Sequence, residues 1–301
     1  LLLIFNHSIS NNYTMETNEK IKDLVKEKYS EIAVQDKLMN AASCCGATGC
    51  SGEVYNIMAD DYSKLEGYHA DADLGLGCGL PTQFAKIAKG AVVIDLGSGA
   101  GNDCFVARSQ TGETGKVIGI DMTPAMISRA RANAEKLGFH NVEFRLGEIE
   151  NLPVTSNVAD VIVSNCVLNL VPDKEKAFAE IFRVLKPGGH FSISDIVLDG
   201  TLPEKILHTA EMYAGCISGA IQKETYLNMI RAKGFENITL QKEKLITIPD
   251  DILSEYLSPD EMSTYKSSGI GIYSITVYAE KKAAVKEKVE AACCDKTVCC
   301  Q

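Results

Sequence analysis

The chain has no long apolar run, no basic excess and no histidine spacing suited to a metal site. None of its 301 residues belongs to a stretch approaching the ~20 apolar residues that span a bilayer, so no membrane helix is expected. The opening run Leu1–Phe5 is shorter than a signal-peptide core, and no positive residue precedes it. Lysine and arginine number 30 against 40 acidic residues, a net charge of −10. That balance argues against a nucleic-acid substrate, which needs a basic face. The five histidines, His69, His140, His190 and His208 among them, lack ligand spacing, and no His/Asp constellation accompanies the motifs described below. No long-period repeat is present.

Thiols, by contrast, are plentiful. Eleven cysteines without a secretion signal point to a cytoplasmic protein, where structural disulfides are rare and thiols are catalytic, redox-active or metal-binding. Cys44, Cys45 and Cys50 lie in one loop, and Cys293, Cys294, Cys299 and Cys300 in the tail. Cys78, Cys166 and Cys216 stand 88 and 50 residues apart, far from any zinc-knuckle spacing.

Residues 1–14 are expected to be a disordered leader, followed by a helical and cysteine-rich extension over 15–80. Within it, Ile21, Leu24, Val25 and Lys28 set a helical period from Glu16 to Lys37. From 81 to 200 strand and helix alternate. Strands are expected at 91–95, 116–120, 142–146, 160–164 and 191–197. A helix begins near Asn102. Another starts at Thr123-Pro124 and stops at Gly138. A third spans 173–185, before Lys186-Pro187-Gly188-Gly189. This order implies βαβ units and a parallel, Rossmann-like doubly wound α/β sheet. Residues 201–280 read as a substrate-side region, helical over 202–232, with strands at 238–248 and 272–279 closing the sheet. A cysteine-rich tail covers 281–301.

Asp95-Leu96-Gly97-Ser98-Gly99-Ala100-Gly101 follows the first strand, and Asp121 ends the second. Glycines let the backbone turn sharply against a ligand, and a carboxylate at the next strand end can accept hydrogen bonds from ribose hydroxyls. The dinucleotide pattern places its third glycine one position later. The loop instead resembles the first motif of the Rossmann-like S-adenosylmethionine methyltransferases, as do Gly147–Pro153 and Leu185–Gly189 their later motifs. That resemblance implies Asp121 at the ribose, with Met122 beside it. It implies Glu148 and Ile149 near adenine, and Gly97, Gly99 and Gly101 under the methionine portion. Asp95 would hold the amino group, and Asn165 would lie at the cofactor.

A cysteine at a strand end is commonly just a small buried hydrophobe. Three segments together say more. Gly77–Pro81, Asn165–Lys174 and Cys216–Ala220, with Gly101–Cys104 and Gly119–Thr123, resemble the arsenite S-adenosylmethionine methyltransferase family over residues 60–280. The resemblance implies that Cys78, Cys166 and Cys216 hold As(III) and that Cys44 or Cys45 is a redox partner. It also implies arsenite or methylarsenite as substrate, and a thiol reductant, thioredoxin or glutathione, as electron source. Trivalent arsenic prefers thiolate sulfur by the softness that governs metal sites, and three thiolates leave it a nucleophilic lone pair. Cys50 and Cys104 read as loop and core residues. Two other readings stand beside this one: a methyltransferase for a small organic acceptor with structural cysteines, and a non-enzymic thiophilic-metal binder.

Overall fold

The computed structural model describes residues 2–35, 60–202, 217, 219–248, 250–254 and 257–283, with backbone alone for 2–17 and 251–252. Seven strands form one sheet: β1 (Val92–Leu96), β2 (Lys116–Asp121), β3 (Val142–Leu146), β4 (Ala159–Asn165), β5 (Leu185–Asp199), β6 (Phe235–Leu245) and β7 (Gly271–Lys281). Their order is β3-β2-β1-β4-β5-β7-β6. The first five run parallel, and β7 is antiparallel to both β5 and β6. The Val92-Val93-Ile94 run explains why β1 is central. Its apolar, β-branched residues can be buried on both faces, as a parallel strand requires. Ile94 sits in register with Ile118 of β2 and Ile162 of β4.

Helices α1 (Leu2–Ala33), α2 (Asn102–Thr111), α3 (Pro124–Leu137), α4 (Lys174–Val184), α5 (Lys223–Ala232) and α6 (Pro259–Ser267) surround the sheet. Phe178 and Ile181 of α4 and Tyr226 and Ile230 of α5 pack with Ile94, Ile162 and Phe191 in one core. Phe105 of α2 and Ile127 and Ala130 of α3 pack with Val93, Val117 and Val163 in a second. Alternate residues of the same strands therefore feed opposite layers, as the pleat dictates. The stop signals operate as expected. Gly138 closes α3 in the left-handed region at φ 67°, where its N–H reaches the Ala134 and Glu135 carbonyls. Thr123 opens α3 without a side-chain cap. The Asp121 carboxylate instead accepts the Thr123 N–H at 2.8 Å.

Two expectations change. Helix α1 is continuous from Leu2, because no glycine or proline interrupts residues 1–37. Its inward face is Lys22, Val25, Tyr29, Ile32 and Ala33, whereas Ile21 and Leu24 are exposed. Within 202–232 the structure describes 202, 217 and 219–232: helix α5 fills Lys223–Ala232, and Ala220 donates its N–H to the Ile217 carbonyl at 2.9 Å, while the rest of the expected helix lies outside the described residues. Among the described residues no helix is long and apolar enough to cross a membrane.

Candidate active site

Strand order reverses between β1 and β4, and a crevice opens where their carboxyl ends diverge. A cleft occupies that point. The loop Gly97–Ala100 forms its floor, and Asp121 and Met122 flank it. Gly97 and Ser98 donate their N–H groups to the Ile120 carbonyl at 2.8 and 3.0 Å, fastening the loop to β2. Gly97 has φ 68° and no room for a side chain, since a Cβ there would overlap Val167. Gly99, at φ 50°, has open space where its Cβ would stand. Gly101 differs from both: its φ is 101° and a Cβ would meet the rings of Phe105 and Phe144 at 2.9 and 3.0 Å. It is a packing glycine at the start of α2 and lies outside the cleft wall.

The charged groups of the cleft are mostly acidic. Ser98 Oγ and Asn102 Oδ1 are buried without a hydrogen-bond partner, and both residues line the wall. Orphaned buried polar atoms of this kind are ready to receive a ligand. Asp73, Asp95, Asp103 and Asp121 line the same cleft. Burial, then the neighbouring Asp103, holds the Asp95 carboxyl well above the usual carboxylate range. Asp95 also accepts a hydrogen bond from the Cys104 thiol at 3.2 Å. Burial pushes Asp103 up to about 6, against the lowering effect of Tyr62, Asn165 and Thr82. Asp121 is raised by burial too, although it accepts N–H groups from Gly99 at 3.0 Å and from Thr123. A cationic ligand would relieve this crowding of negative charge. The Ser98 hydroxyl, the Asn102 amide oxygen, the carboxylates and open Gly99 thus suit a cofactor carrying ribose hydroxyls and positive charge.

At the other end of the cleft, Ile149 and Glu150 line the wall. Glu148 does not. Its carboxylate is held by Lys22 at 2.8 Å and Lys26 at 3.3 Å, both from α1. Lys22 also lies 3.4 Å from Glu150, and Lys22, Val25 and Tyr29 complete the wall. Helix α1 therefore roofs this end, and Glu148 anchors that roof.

Cys78 and Cys166 are buried thiols in one apolar cluster with Ile196, Ile246, Ile248 and Ile272. Cys166 follows β4 at φ 61°, a left-handed conformation that costs a non-glycine residue ~1–2 kcal/mol. Its N–H is held by the Ser194 carbonyl at 2.8 Å, and its residue lines the cleft. Cys78 comes from the loop before the short helical turn Pro81–Phe84, and its carbonyl accepts from Ser274 of β7 at 2.6 Å. Cys44, Cys45 and Cys216 lie outside the described residues. The next residue after Cys216, Ile217, is a member of the same buried cluster as Cys78 and Cys166. Among the described residues no group of three His, Cys, Asp or Glu side chains could hold a metal ion.

Ser98, Asn102, Asp103, Glu150 and Lys22 went unnoticed as wall residues in the sequence. Ser98 lies in the glycine loop, Asn102 and Asp103 in the segment Gly101–Cys104 and Glu150 in Gly147–Pro153, whereas no motif marks Lys22. Cys104 is buried in the core as expected.

The Methyltransferase domain family matches residues 87–234. An arsenite methyltransferase from Halobacterium salinarum is 39% identical over 282 residues, covering 88% of this chain and 68% of that protein. The human arsenite methyltransferase is 36% identical over 69% of this chain, which spans only 58% of the human protein. Among solved structures, an arsenic(III) S-adenosylmethionine methyltransferase from Chlamydomonas reinhardtii is 34% identical over 68% of each chain, with a TM-score of 0.58. With sequence, fold and cleft in agreement, the chain belongs to the arsenite methyltransferase family.

Proposed function

We propose that the protein methylates thiolate-bound As(III), using S-adenosylmethionine, and so converts arsenite to methylated arsenicals. One observation carries this reading: two buried thiols and the segment of a third meet in one cluster beside an anionic nucleoside-type cleft. In this reading residues 81–200 form the cofactor domain, 201–280 the substrate side, and 15–80 the extension that covers it, with 281–301 a thiol-bearing tail.

Asp121 would take the ribose hydroxyls, Ser98 and Asn102 the remaining polar groups, and Ile149 the adenine. Asp95 would face the cationic amino group, with Met122 and the Gly97–Gly99 loop beneath. Bound there, S-adenosylmethionine would supply an electrophilic methyl on a cationic sulfur, to which the arsenic lone pair can donate, with S-adenosylhomocysteine as the leaving thioether. Cys78, Cys166 and Cys216 would condense with the three hydroxyls of arsenite, releasing three waters. Since each thiol proton leaves with a hydroxyl, no general base is required. The isoleucines around the thiols keep water away from the sulfur ligands and hold the reacting atoms in line.

Methylation raises arsenic from the trivalent to the pentavalent state. Two cysteine sulfurs then join as a disulfide and return two electrons to arsenic. Cys44 or Cys45, paired with Cys78, would supply that bond. Thioredoxin or glutathione, in a cytoplasmic setting, would reduce it again. Equilibrium dialysis with arsenite tests the acceptor: thiol-dependent retention lost in Cys166→Ser supports the reading. Full retention in that variant, or its absence in the parent, contradicts it. Labelled methyl transfer to arsenic separates an enzyme from a binder.

A further inference from the structure

Asn165 lines the cofactor cleft, and its side chain is also bonded to the loop that carries Cys78. Its Oδ1 accepts the N–H groups of Cys78 at 3.0 Å and Gly79 at 3.2 Å. Its Nδ2 donates to the Gly79 carbonyl at 2.9 Å and to the Tyr62 hydroxyl, and lies 3.3 Å from Asp103 Oδ2. Only N–H donors face the amide oxygen and only acceptors face the nitrogen, so the orientation of the amide is fixed. The side chain thus behaves as an added peptide group. It extends the hydrogen bonding of β4 sideways onto residues 78–79.

The fit leaves little slack. A Cβ at Gly77 would stand 2.5 Å from Asn165 Nδ2, and one at Gly79 would stand 2.5 Å from Ser194 Oγ. Tyr62 backs the arrangement, donating to Asp103 at 2.8 Å while it receives the Asn165 amide. The residue after Asn165 is Cys166, whose own N–H is bound to Ser194. One residue therefore holds the Cys78 backbone through its side chain and the Cys166 backbone through its peptide bond.

We propose that Asn165 is a positioning residue that sets the placement of Cys78 relative to Cys166, and so the affinity of the thiol site for trivalent arsenic. This rests on the thiol-site reading given above. Losing the amide removes the oxygen that accepts the Cys78 and Gly79 N–H groups and releases the loop.

The test compares arsenite KM, kcat and calorimetric S-adenosylmethionine Kd in the full chain and its variants, with Tm as the folding control. Asn165→Ala should lower kcat/KM for arsenite by about tenfold to a hundredfold, with cofactor Kd within about threefold of the parent. Asn165→Asp keeps the acceptor oxygen and forfeits both donors, so it should fall between parent and alanine. If the alanine variant does not fold, Tyr62→Phe, which removes only the backing hydroxyl, should still lower kcat/KM for arsenite about threefold or more. A weakened cofactor Kd with unchanged arsenite KM would make Asn165 a cofactor ligand and overturn the proposal. Undiminished arsenite turnover in Cys78→Ser would defeat the thiol-site reading itself. Dependence on Cys78 without dependence on Asn165 or Tyr62 would defeat only the clamp.

Discussion

Gly219 lies directly over the backbone carbonyl of Asn169, so close that a Cβ on it would overlap the Asn169 oxygen. Asn169 belongs to the 3₁₀ turn Leu168–Leu170 that follows Cys166. Gly219 stands three residues after Cys216, in the turn that begins at Ile217. The contact therefore ties the two thiol-bearing segments together through backbone alone. Gly219→Ala should push them apart, lowering kcat for arsenite methylation on the order of 10²-fold while costing only about 1–3 kcal/mol of stability. Steady-state kinetics and thermal melts would check this. Parent-like turnover in the alanine variant would show that the segments need not touch.

Helix α1 should matter to the cofactor through one buried lysine. Lys22 is buried and faces both Glu148 and Glu150, which raise its pKa against the opposing effect of burial. Replacing it removes the ion pair of the buried Glu150 carboxylate. Lys22→Met should weaken S-adenosylmethionine binding about tenfold by calorimetry, with arsenite KM little changed. Equal weakening for both substrates would argue that α1 supports the whole fold instead of roofing one end.

Cofactor affinity should depend on pH. In the protein alone burial holds Asp103 at about 6, and Asp95 and Asp121 are raised as well. A cationic ligand favours the ionised carboxylates, so binding must release protons wherever they are still protonated. Affinity should therefore be highest above pH ~7 and fall as pH drops through about 6, by at most tenfold per pH unit for each group. Asp103→Asn should flatten the profile near pH 6. A parent profile already flat between pH 8 and 5 would contradict this electrostatic account.

A second buried carboxyl governs stability. Asp195 of β5 is wholly buried, and burial raises it to about 7 although the Ile196 N–H, at 3.1 Å, and the Tyr226 hydroxyl, at 3.2 Å, bond to it. A folded-state pKa above the unfolded value means stability that is full below pH ~4 and lost as pH rises through about 7. The penalty at pH 8 is on the order of 4 kcal/mol. Asp195→Asn should raise Tm at pH 8 and change it little at pH 4. Destabilisation at both pH values would mean that the carboxylate is needed for its hydrogen bonds more than it costs by burial.

Much of this was legible in the chain because local chemistry dictates it. Val92-Val93-Ile94 can only be a buried strand, and Gly97 and Gly99 adopt conformations that glycine alone reaches cheaply. What could not be read was direction. Glu148 and Glu150 are two residues apart and Lys22 pairs with both, yet only Glu150 lines the cleft, while Glu148 is also held by Lys26 of α1. Likewise the apolar spacing in α1 pointed to Ile21 and Leu24, but the acidic partners drew Lys22 inward and left those two outside. Gly101 shares its motif with Gly97, yet it serves the Phe105 and Phe144 rings, which meet only after β3 is in place. Asn165 could be placed at the strand end, but not its partners 86 and 87 residues earlier.

The central claim is most directly tested by separating the arsenic products of the parent and its cysteine variants by chromatography with elemental detection. With arsenite, S-adenosylmethionine and a dithiol reductant, the parent should yield methylated arsenicals. Cys166→Ser and Cys216→Ser should yield none, and Cys44→Ser combined with Cys45→Ser should fail on arsenite while still methylating methylarsenite. Methylated products from Cys166→Ser in parent-like amounts would show that arsenic does not sit where the buried thiols meet.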